Sequence, residues 1–415
     1  MSDSRECQSG EGTHEESGRQ PMKAPAYLLH TGSRIRDHEV HLCGNPWKSW
    51  VFLRLRTADG VEGVGECSLN GLAQTTVACL EELSPYVLGQ RPEDYATITR
   101  RMLTDRYSDA GQVHRGVIAA VELACLDILG KRAWLPSYAL LGGKVRDRIP
   151  AYANGWYRVD RTPEPMRTAA QQAASHGYLH LKCDLFGADR SPLSIRQKGQ
   201  AWDILEAVRS ASPTTVSVEC HQRLDWQDAT WLATAFGQDE RIGWFEEPLP
   251  WWNIPALGRL SRQIPVPLAT GENLTLVQQF EALVSQADSL ILQPDVMNLG
   301  GLTHALEVCR LAERHGLRVC PHDAQGPVSR AACVQLAALS PAVWMLEDFD
   351  PWNEPWTKNI ATTFRAEQGM IHFAHMPPGL GVTIHWDEVR KHPYDQKAWL
   401  PLYQGGWEQR KGAGG

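Results

Sequence analysis

Short apolar runs recur along the second half of the chain, and each closes on a residue that can carry charge. The runs read "TTVSVECH", "IGWFEEP", "VPLATGE", "LILQPD", "LRVCPHD" and "VWMLEDF", and their closing groups are Glu219, Glu246, Glu272, Asp295, His322 and Glu347. The steps between these groups are 27, 26, 23, 27 and 25 residues. A strand, a loop, a helix and a return loop fill about that length. Stretches with apolar residues at helical spacing lie between the runs, such as "SIRQKGQAWDILEAVRSA", "LTLVQQFEALVSQAD" and "GLTHALEVCRLAERHG". Two earlier runs, "IPAYANG" and "GYLHLKCD", bring the strands to eight, with seven helical stretches between them. The pattern predicts a (β/α)7β barrel, with the polar residues that close each strand converging at one mouth.

The first third is built differently. "SWVFLRLRTADGVEGVGEC" alternates with period two around Asp59-Gly60, which reads as a hairpin. "TTVACLEELSPYVLG" and "GVIAAVELACLDILGKRAW" read as helices. The expected organisation is a polar, disordered tail over 1–22, an α+β capping domain over 23–148, the barrel over 149–375, and a closing segment over 376–415 that packs on the capping domain.

Composition narrows the function. A net charge of −7 offers no basic face for nucleic acid. No apolar stretch is long enough to span a membrane, and the N-terminus lacks the charged-then-apolar pattern of a signal peptide. The ten cysteines are scattered without CxxC pairs, so neither a zinc site nor a disulfide framework is expected, and the cytoplasm is the simplest home. Five of the sixteen tryptophans, Trp156, Trp251, Trp252, Trp352 and Trp356, follow strand ends, where rings either line sugar pockets or pack in the core.

The closing groups carry the chemistry. Taken singly, Glu219, Glu246 and Glu272 are ordinary loop acids. At three successive strand ends, about 5 Å apart, they form an oxygen-only cage that suits a hard cation, with Mg2+ the best fit. Asp295 and His322 end neighbouring strands, and a carboxylate beside an imidazole makes either a general base or a structural hydrogen bond. Glu347 faces the same space, and crowding among anions is expected to raise its pKa and let it donate to a substrate oxygen. His221 shares its strand parity with Glu219, so it is either a second proton-transfer group or support for Glu219. Lys182 and Asp184 share parity one strand earlier, where Lys182 either binds a carboxylate or forms a plain ion pair. A metal, a base and a second acid suit removal of a proton beside a carboxylate, followed by loss of a hydroxyl or return of the proton.

These residues, with their surroundings, resemble the enolase superfamily, mandelate racemase branch, over residues ~23 to 385. The matching motifs are "DILGKRAWLPSYALLGG" (127–143), "WFEEP" (244–248), "ATGENL" (269–274), "QPDVMNLGGLTHALEVCRLAERHG" (293–316), "CPHDAQGP" (320–327), "LEDF" (346–349) and "GMI…PPGLGV" (369–382). A His or Lys base paired with Mg2+ is a known property of that superfamily. The resemblance implies Glu219, Glu246 and Glu272 as Mg2+ ligands, Asp295–His322 as the base dyad and Glu347 as hydrogen-bond donor on the enolate side. Within the branch, "ExHxR" (219–223) and "LKCD" (181–184) are similar to the acid-sugar dehydratases of the galactonate and mannonate type, where the His protonates the departing 3-hydroxyl. Racemases carry a second Lys where Asp184 stands. The resemblance therefore implies a carbon–oxygen lyase acting on an acid sugar, as a homo-oligomer. A cycloisomerase or epimerase, or a barrel that binds sugar acids without turnover, remain alternatives.

Three departures stand out. Glu219 replaces the usual Asp, "PHDAQGP" is not the usual continuation after the His, and the "DPWNEPW" loop (350–356) is unfamiliar. Candidate substrate contacts are Lys182, Asp184, Asn273, Arg223, Trp47 and Trp352, with His38 and His41 in the segment of the capping domain that closes over substrate.

Overall fold

The computed structural model describes residues 33–211, 214–237 and 239–407. The expected tail over 1–22 lies outside them.

The hairpin foreseen around Asp59-Gly60 forms the centre of a three-stranded antiparallel sheet: β1 (Ile35–Cys43), β2 (Trp50–Thr57) and β3 (Glu62–Glu66). Helices α1 (Ala73–Leu83), α2 (Tyr95–Thr104) and α3 (Gln112–Ala133) cover one face. Val51, Leu53 and Leu55 of β2 pack with Val117, Val121 and Ala124 of α3, all nearly fully buried. The backbone of α3 lies directly on β3. A Cβ on Gly63 would stand 2.1 Å from the Ala124 carbonyl oxygen, and one on Gly65 would stand 1.9 Å from that of Ala120. The glycines of "EGVGE" are therefore the reason the helix can dock.

After the short helix α4 (Ser137–Leu140) the strand–helix repeat begins. The strands are β4 (Arg148–Ala153), β5 (His180–Asp184), β6 (Thr215–Glu219), β7 (Ile242–Glu246), β8 (Leu268–Thr270), β9 (Leu290–Leu292), β10 (Arg318–Val319) and β11 (Leu346–Asp348). The connecting helices are α5 (Pro163–Ser175), α6 (Ile195–Ala211), α7 (Trp226–Phe236), α8 (Ile254–Ser261), α9 (Val277–Gln286), the pair α10 (Val296–Leu299) and α11 (Leu302–His315), and α12 (Pro327–Leu339). The strands pair in parallel in chain order from β4 to β10, and β11 pairs with β4. A parallel bridge from Val319 to Val343 joins β10 to the stretch that leads into β11. Seven helical connections link eight strands, as the sequence repeat predicts. The nine cysteines among the described residues are free. Among the described residues no helix is long and apolar enough to cross a membrane.

Three buried carboxylates fasten the first part of the chain to the rest of the molecule, two of them to the barrel. Glu66, at the end of β3, accepts the backbone N–H groups of Gly326, Val328 and Ser329 (2.6, 3.1 and 3.2 Å) and so caps α12. Glu122 of α3 accepts from the Thr303 N–H (3.0 Å) and the Thr303 hydroxyl at the start of α11. Asp127 of α3 accepts from the N–H groups of Val64 and Leu380 (3.1 and 2.9 Å). A helix N-terminus presents unpaired N–H donors and a positive dipole end, so Glu66 and Glu122 answer a real need, while Asp127 ties α3 to β3 and to the C-terminal segment. Removing one leaves buried donors unsatisfied. Glu66→Ala is expected to lower the unfolding free energy by about 3 kcal/mol, read from the urea midpoint, with Glu66→Gln milder. An unchanged midpoint for Glu66→Ala would show that this cap does not hold the two parts together.

Candidate active site

Side chains two apart on a strand share a face, so the barrel interior fills in layers. The lower layer is aromatic. His180 stacks on Trp244 at 4.4 Å, Tyr152 meets Trp244 edge-on at 5.2 Å, and the His180 ring pairs with the Ser217 hydroxyl at 2.7 Å. Burial pushes His180 down to about 3, which keeps it neutral. Two residues further along the same strands stand Asn154, Lys182, Glu219 and Glu246. These four groups therefore rest directly on a buried, largely aromatic layer.

Glu219, Glu246 and Glu272 each offer a carboxylate oxygen, and the three oxygens lie within 4.8 Å of one another. Opposite ligands of one divalent oxygen-bound cation are about 4–5 Å apart, so the set fits a hard ion. The extra methylene of Glu219, relative to the Asp of the resembled family, is accommodated: one oxygen accepts the His221 N–H at 2.8 Å and the other meets the Lys182 ammonium at 3.2 Å. Lys182 also touches Glu246 and reaches Glu347 at 2.9 Å. Trp244 Nε1 and Gln293 Nε2 each donate to the other Glu246 oxygen at 2.8 Å. Burial, followed by the neighbouring Glu219, still drives Glu246 up to about 8, and burial raises Glu219 as well. The floor thus holds more negative charge than Lys182 neutralises, which is what a cation site requires.

Two imidazole–carboxylate pairs face this floor. His322 Nδ1 lies 2.8 Å from Asp295 Oδ2, and Asp295 is fixed by the N–H groups of Met297 and Asn298 at the start of α10 (2.8 and 3.0 Å). His221 Nδ1 lies 2.7 Å from Asp184 Oδ2. Arg223 and Arg161 both pair with Asp184 and hold its carboxyl well below the ordinary range against the pull of burial. The two imidazoles diverge. Burial lowers His221 from its ordinary value. Burial also works against charge on His322, but Glu272, whose carboxylate is 3.3 Å from Nε2, outweighs it together with Asp295 and Glu347, raising His322 to about 10. The loop that carries His221 is strained. His221 (φ 45°) and Gln222 (φ 61°) adopt left-handed backbone, as does Glu247 (φ 42°) after the next strand. Cross-strand bonds hold them there: Gln222 N–H to the Glu247 carbonyl at 2.6 Å and Gly271 N–H to the Glu247 carboxylate at 3.1 Å. Strain of this kind collects at functional loops.

The floor opens into a cavity of about 240 Å3. The first part of the chain and the C-terminal segment roof it. Trp47, Lys48, Asn70 and Gln112 of the first part line it together with Leu400, Leu402 and Trp407 of the last. The last segment is tied at several points. The Asn70 amide makes two bonds to the Leu400 backbone (3.0 and 2.8 Å), Arg223 Nη2 donates to the Leu402 carbonyl (2.6 Å) and Trp407 Nε1 to the Gly187 carbonyl (3.2 Å). Trp407 packs edge-on against His221 at 5.6 Å.

The residues singled out from sequence are therefore sorted by the fold. Glu219, Glu246 and Glu347 lie within strands, while Glu272, Asp295 and His322 stand in the loops just beyond. Lys182, Asn273, Trp47, His221 and His322 line the cavity. Asp184 and Arg223 sit behind His221 instead, and Trp352 packs on Tyr178 at 5.5 Å away from the cavity. His38 pairs with Glu81, and His41 stacks on Trp386, so neither faces the site. None of the five tryptophans that follow strand ends lines the cavity. The charge expected on Glu347 is reversed: burial raises it, but Lys182, His322 and the Asp323 N–H lower it to about 2, so it is a carboxylate that accepts from Asn154 at 2.7 Å. Sequence reasoning missed Asn154, Gln293, Lys48, Gln325 and Trp407. Strand parity would have found Asn154 and Gln293, two residues from Tyr152 and Asp295. Nothing local marks the other three.

Comparison with known proteins agrees with this geometry. Residues 26–142 match the mandelate racemase / muconate lactonizing enzyme N-terminal domain, and residues 165–389 match the enolase C-terminal domain-like family. The chain is 30% identical over 353 residues to a D-gluconate dehydratase of Thermoproteus tenax, covering 83% of this chain and 70% of that one. It is 30% identical over 362 residues to a D-galactonate dehydratase of Verminephrobacter eiseniae, covering 84% and 92%. A crystal structure of a mandelate racemase/muconate lactonizing enzyme from a Sulfitobacter species superposes with a TM-score of 0.81 at 27% identity, covering 88% of this chain and 96% of that one. A match of both domain models in this order, on a barrel whose strand ends carry three glutamates and a His–Asp pair, places the chain in the enolase superfamily, in its mandelate racemase branch.

Proposed function

We propose that this protein is an acid-sugar dehydratase, a carbon–oxygen lyase that depends on Mg2+, removes the proton beside a carboxylate and expels the 3-hydroxyl to give a 2-keto-3-deoxy sugar acid. The observation that carries this reading is the pair of His–Asp dyads on one cavity, His322–Asp295 and His221–Asp184, beside a three-glutamate cage. Relatives named as dehydratases of gluconate, galactonate and xylonate support the substrate class.

Glu219, Glu246 and Glu272 would hold Mg2+, which supplies Lewis-acid stabilisation of the charge that develops on the substrate carboxylate. His322 takes the α-proton at Nε2, while Asp295 fixes its ring through Nδ1. Glu272 is the strongest of the charges that raise His322, and it is also a ligand in the cage. Its carboxylate, once spent on a cation, leaves the imidazole free to act as base. Lys182 places a positive charge at the floor, where the enolate charge grows. His221 faces the same cavity and is placed to hand a proton to the departing hydroxyl. Asp184, kept ionised by two arginines, orients that ring.

A panel of aldonates and aldarates assayed with Mg2+ for 2-keto-3-deoxy acid tests the reading. Deuterium uptake into substrate without keto acid would redirect it to epimerisation or cycloisomerisation. His322→Asn is expected to reduce α-proton exchange by about 10²- to 10⁴-fold. His221→Asn is expected to remove dehydration while exchange at carbon 2 persists, as measured by proton NMR in D2O. Mg2+ is expected to raise the melting temperature by mass action, and Glu246→Gln to abolish that rise; a rise that survives would place the ion elsewhere. In protein freed of divalent cations, His322 is expected to titrate far above its ordinary 6.5, at about 10. A raised base stabilises the fold fully below 6.5, and that contribution fades as pH climbs through 10. Glu272→Gln should bring the midpoint of its ring resonances down, and a midpoint near 6.5 in the unaltered protein would contradict the assigned contact.

A further inference from the structure

The loop between β1 and β2 carries a lysine that the mechanism above leaves without a role. Lys48 is 6% exposed and lines the cavity. Its ammonium has three donors, and among the described residues its one hydrogen-bond acceptor is Gln325 Oε1, at 3.0 Å. The other cavity lysine, Lys182, is occupied by Glu219, Glu246 and Glu347. A buried ammonium with donors to spare is costly unless an acceptor arrives. The contents of the cavity are the source of one.

Gln325 gives this lysine a second connection. Its Nε2 donates to Asp295 Oδ2 at 3.1 Å, the same oxygen that meets His322 Nδ1 at 2.8 Å. The chain of contacts therefore runs from the β1–β2 loop through Gln325 to the base dyad. The loop itself is seated by aromatic packing, with Trp47 6.1 Å from Phe349 and 5.9 Å from Trp407. Gln325 belongs to the "PHDAQGP" run that departs from the resembled family, and the contact to Asp295 gives that departure a use.

We propose that Lys48 is a substrate-recognition residue that donates to an oxygen of the acid sugar on the His322 side of the cavity, and that Gln325 couples this contact to the orientation of Asp295. Gln325 acts through Asp295 and is a positioning residue. The proposal rests on the acid-sugar reading and goes beyond it, because it names the group that recognises the polyhydroxy chain.

The test uses the full-length, Mg2+-loaded protein with D-galactonate, its 6-deoxy analogue, D-xylonate and galactarate. Lys48→Met is expected to raise KM by about 10- to 100-fold on a substrate that keeps the contacted oxygen, with the Mg2+-induced rise in melting temperature intact. The penalty should shrink on an analogue that lacks that oxygen. A penalty confined to galactarate identifies the acceptor as a second carboxylate; one shared with the aldonates identifies it as a hydroxyl. Gln325→Leu keeps the lysine but cuts the link, and is expected to lower kcat and α-proton exchange more than it raises KM. Turnover by the unaltered protein with an unchanged KM in Lys48→Met overturns the proposal while leaving the dehydratase reading in place. An equal penalty on every substrate, matched by a lower melting temperature, also overturns it, since that is the signature of a lost domain contact. Unaltered protein that turns over no acid sugar sinks the underlying reading instead.

Discussion

Like charges buried together repel, and this protein gathers Glu219, Glu246, Glu272, Asp295 and Glu347 at the mouth of one barrel. That crowd is tolerable only with cations inside it. Lys182 supplies one, inserted among three of the carboxylates, and His322 supplies another, held in its charged form by Glu272 and Asp295. The upward drift of Glu219 and Glu246 shows that the compensation is incomplete. Everything else at the site is arranged around this imbalance. The aromatic plug of Tyr152, His180 and Trp244 seals the floor from below, and Trp244 and Gln293 spend their N–H donors on Glu246. The same imbalance is what lets the three glutamates offer a place for a cation.

The two dyads differ because their surroundings differ, although both are a histidine beside an aspartate. Asp184 favours charge on His221, but burial outweighs it, and the Arg223 guanidinium, which also pairs with Asp184, works in the same direction as burial. Among the described residues Asp295 has no arginine partner and is held by backbone N–H groups and Gln325, and His322 has Glu272 on its other side. One ring is therefore lowered and the other raised within a single cavity.

The roof is as much part of the site as the floor. Glu66 and Glu122 reach from the first part of the chain to cap barrel helices, so the β1–β2 loop has a fixed position above the strand ends. The segment around Leu400–Trp407 joins it over the cavity and is tied to Asn70, Arg223 and Gly187. The cavity is enclosed by parts of the chain separated by hundreds of residues, and this arrangement lets Trp47, Lys48 and Trp407 meet the same small volume.

The repeat of apolar runs and helical stretches determined the strand–helix alternation, because side-chain periodicity is a local property that a linear reading captures. The closing residues of those runs likewise announced the carboxylate cage and the His322–Asp295 pair, since a barrel turns every strand end toward one mouth. Parity placed Lys182 and His221 correctly at the cavity. It also suggested Asp184 as a substrate contact, but only the fold revealed that Arg161 and Arg223 draw it behind His221. The charge of Glu347 was misjudged because its pKa depends on Lys182, which comes from another strand at a distance no sequence spacing encodes. Lys48, Gln325 and Trp407 were invisible for the same reason: their roles arise where loops from separate parts of the chain close over one another. The sequence by itself fixed which groups can carry charge and how often they recur. Tertiary structure decided which of them share a low-dielectric space, and the strength of an electrostatic interaction depends on that sharing.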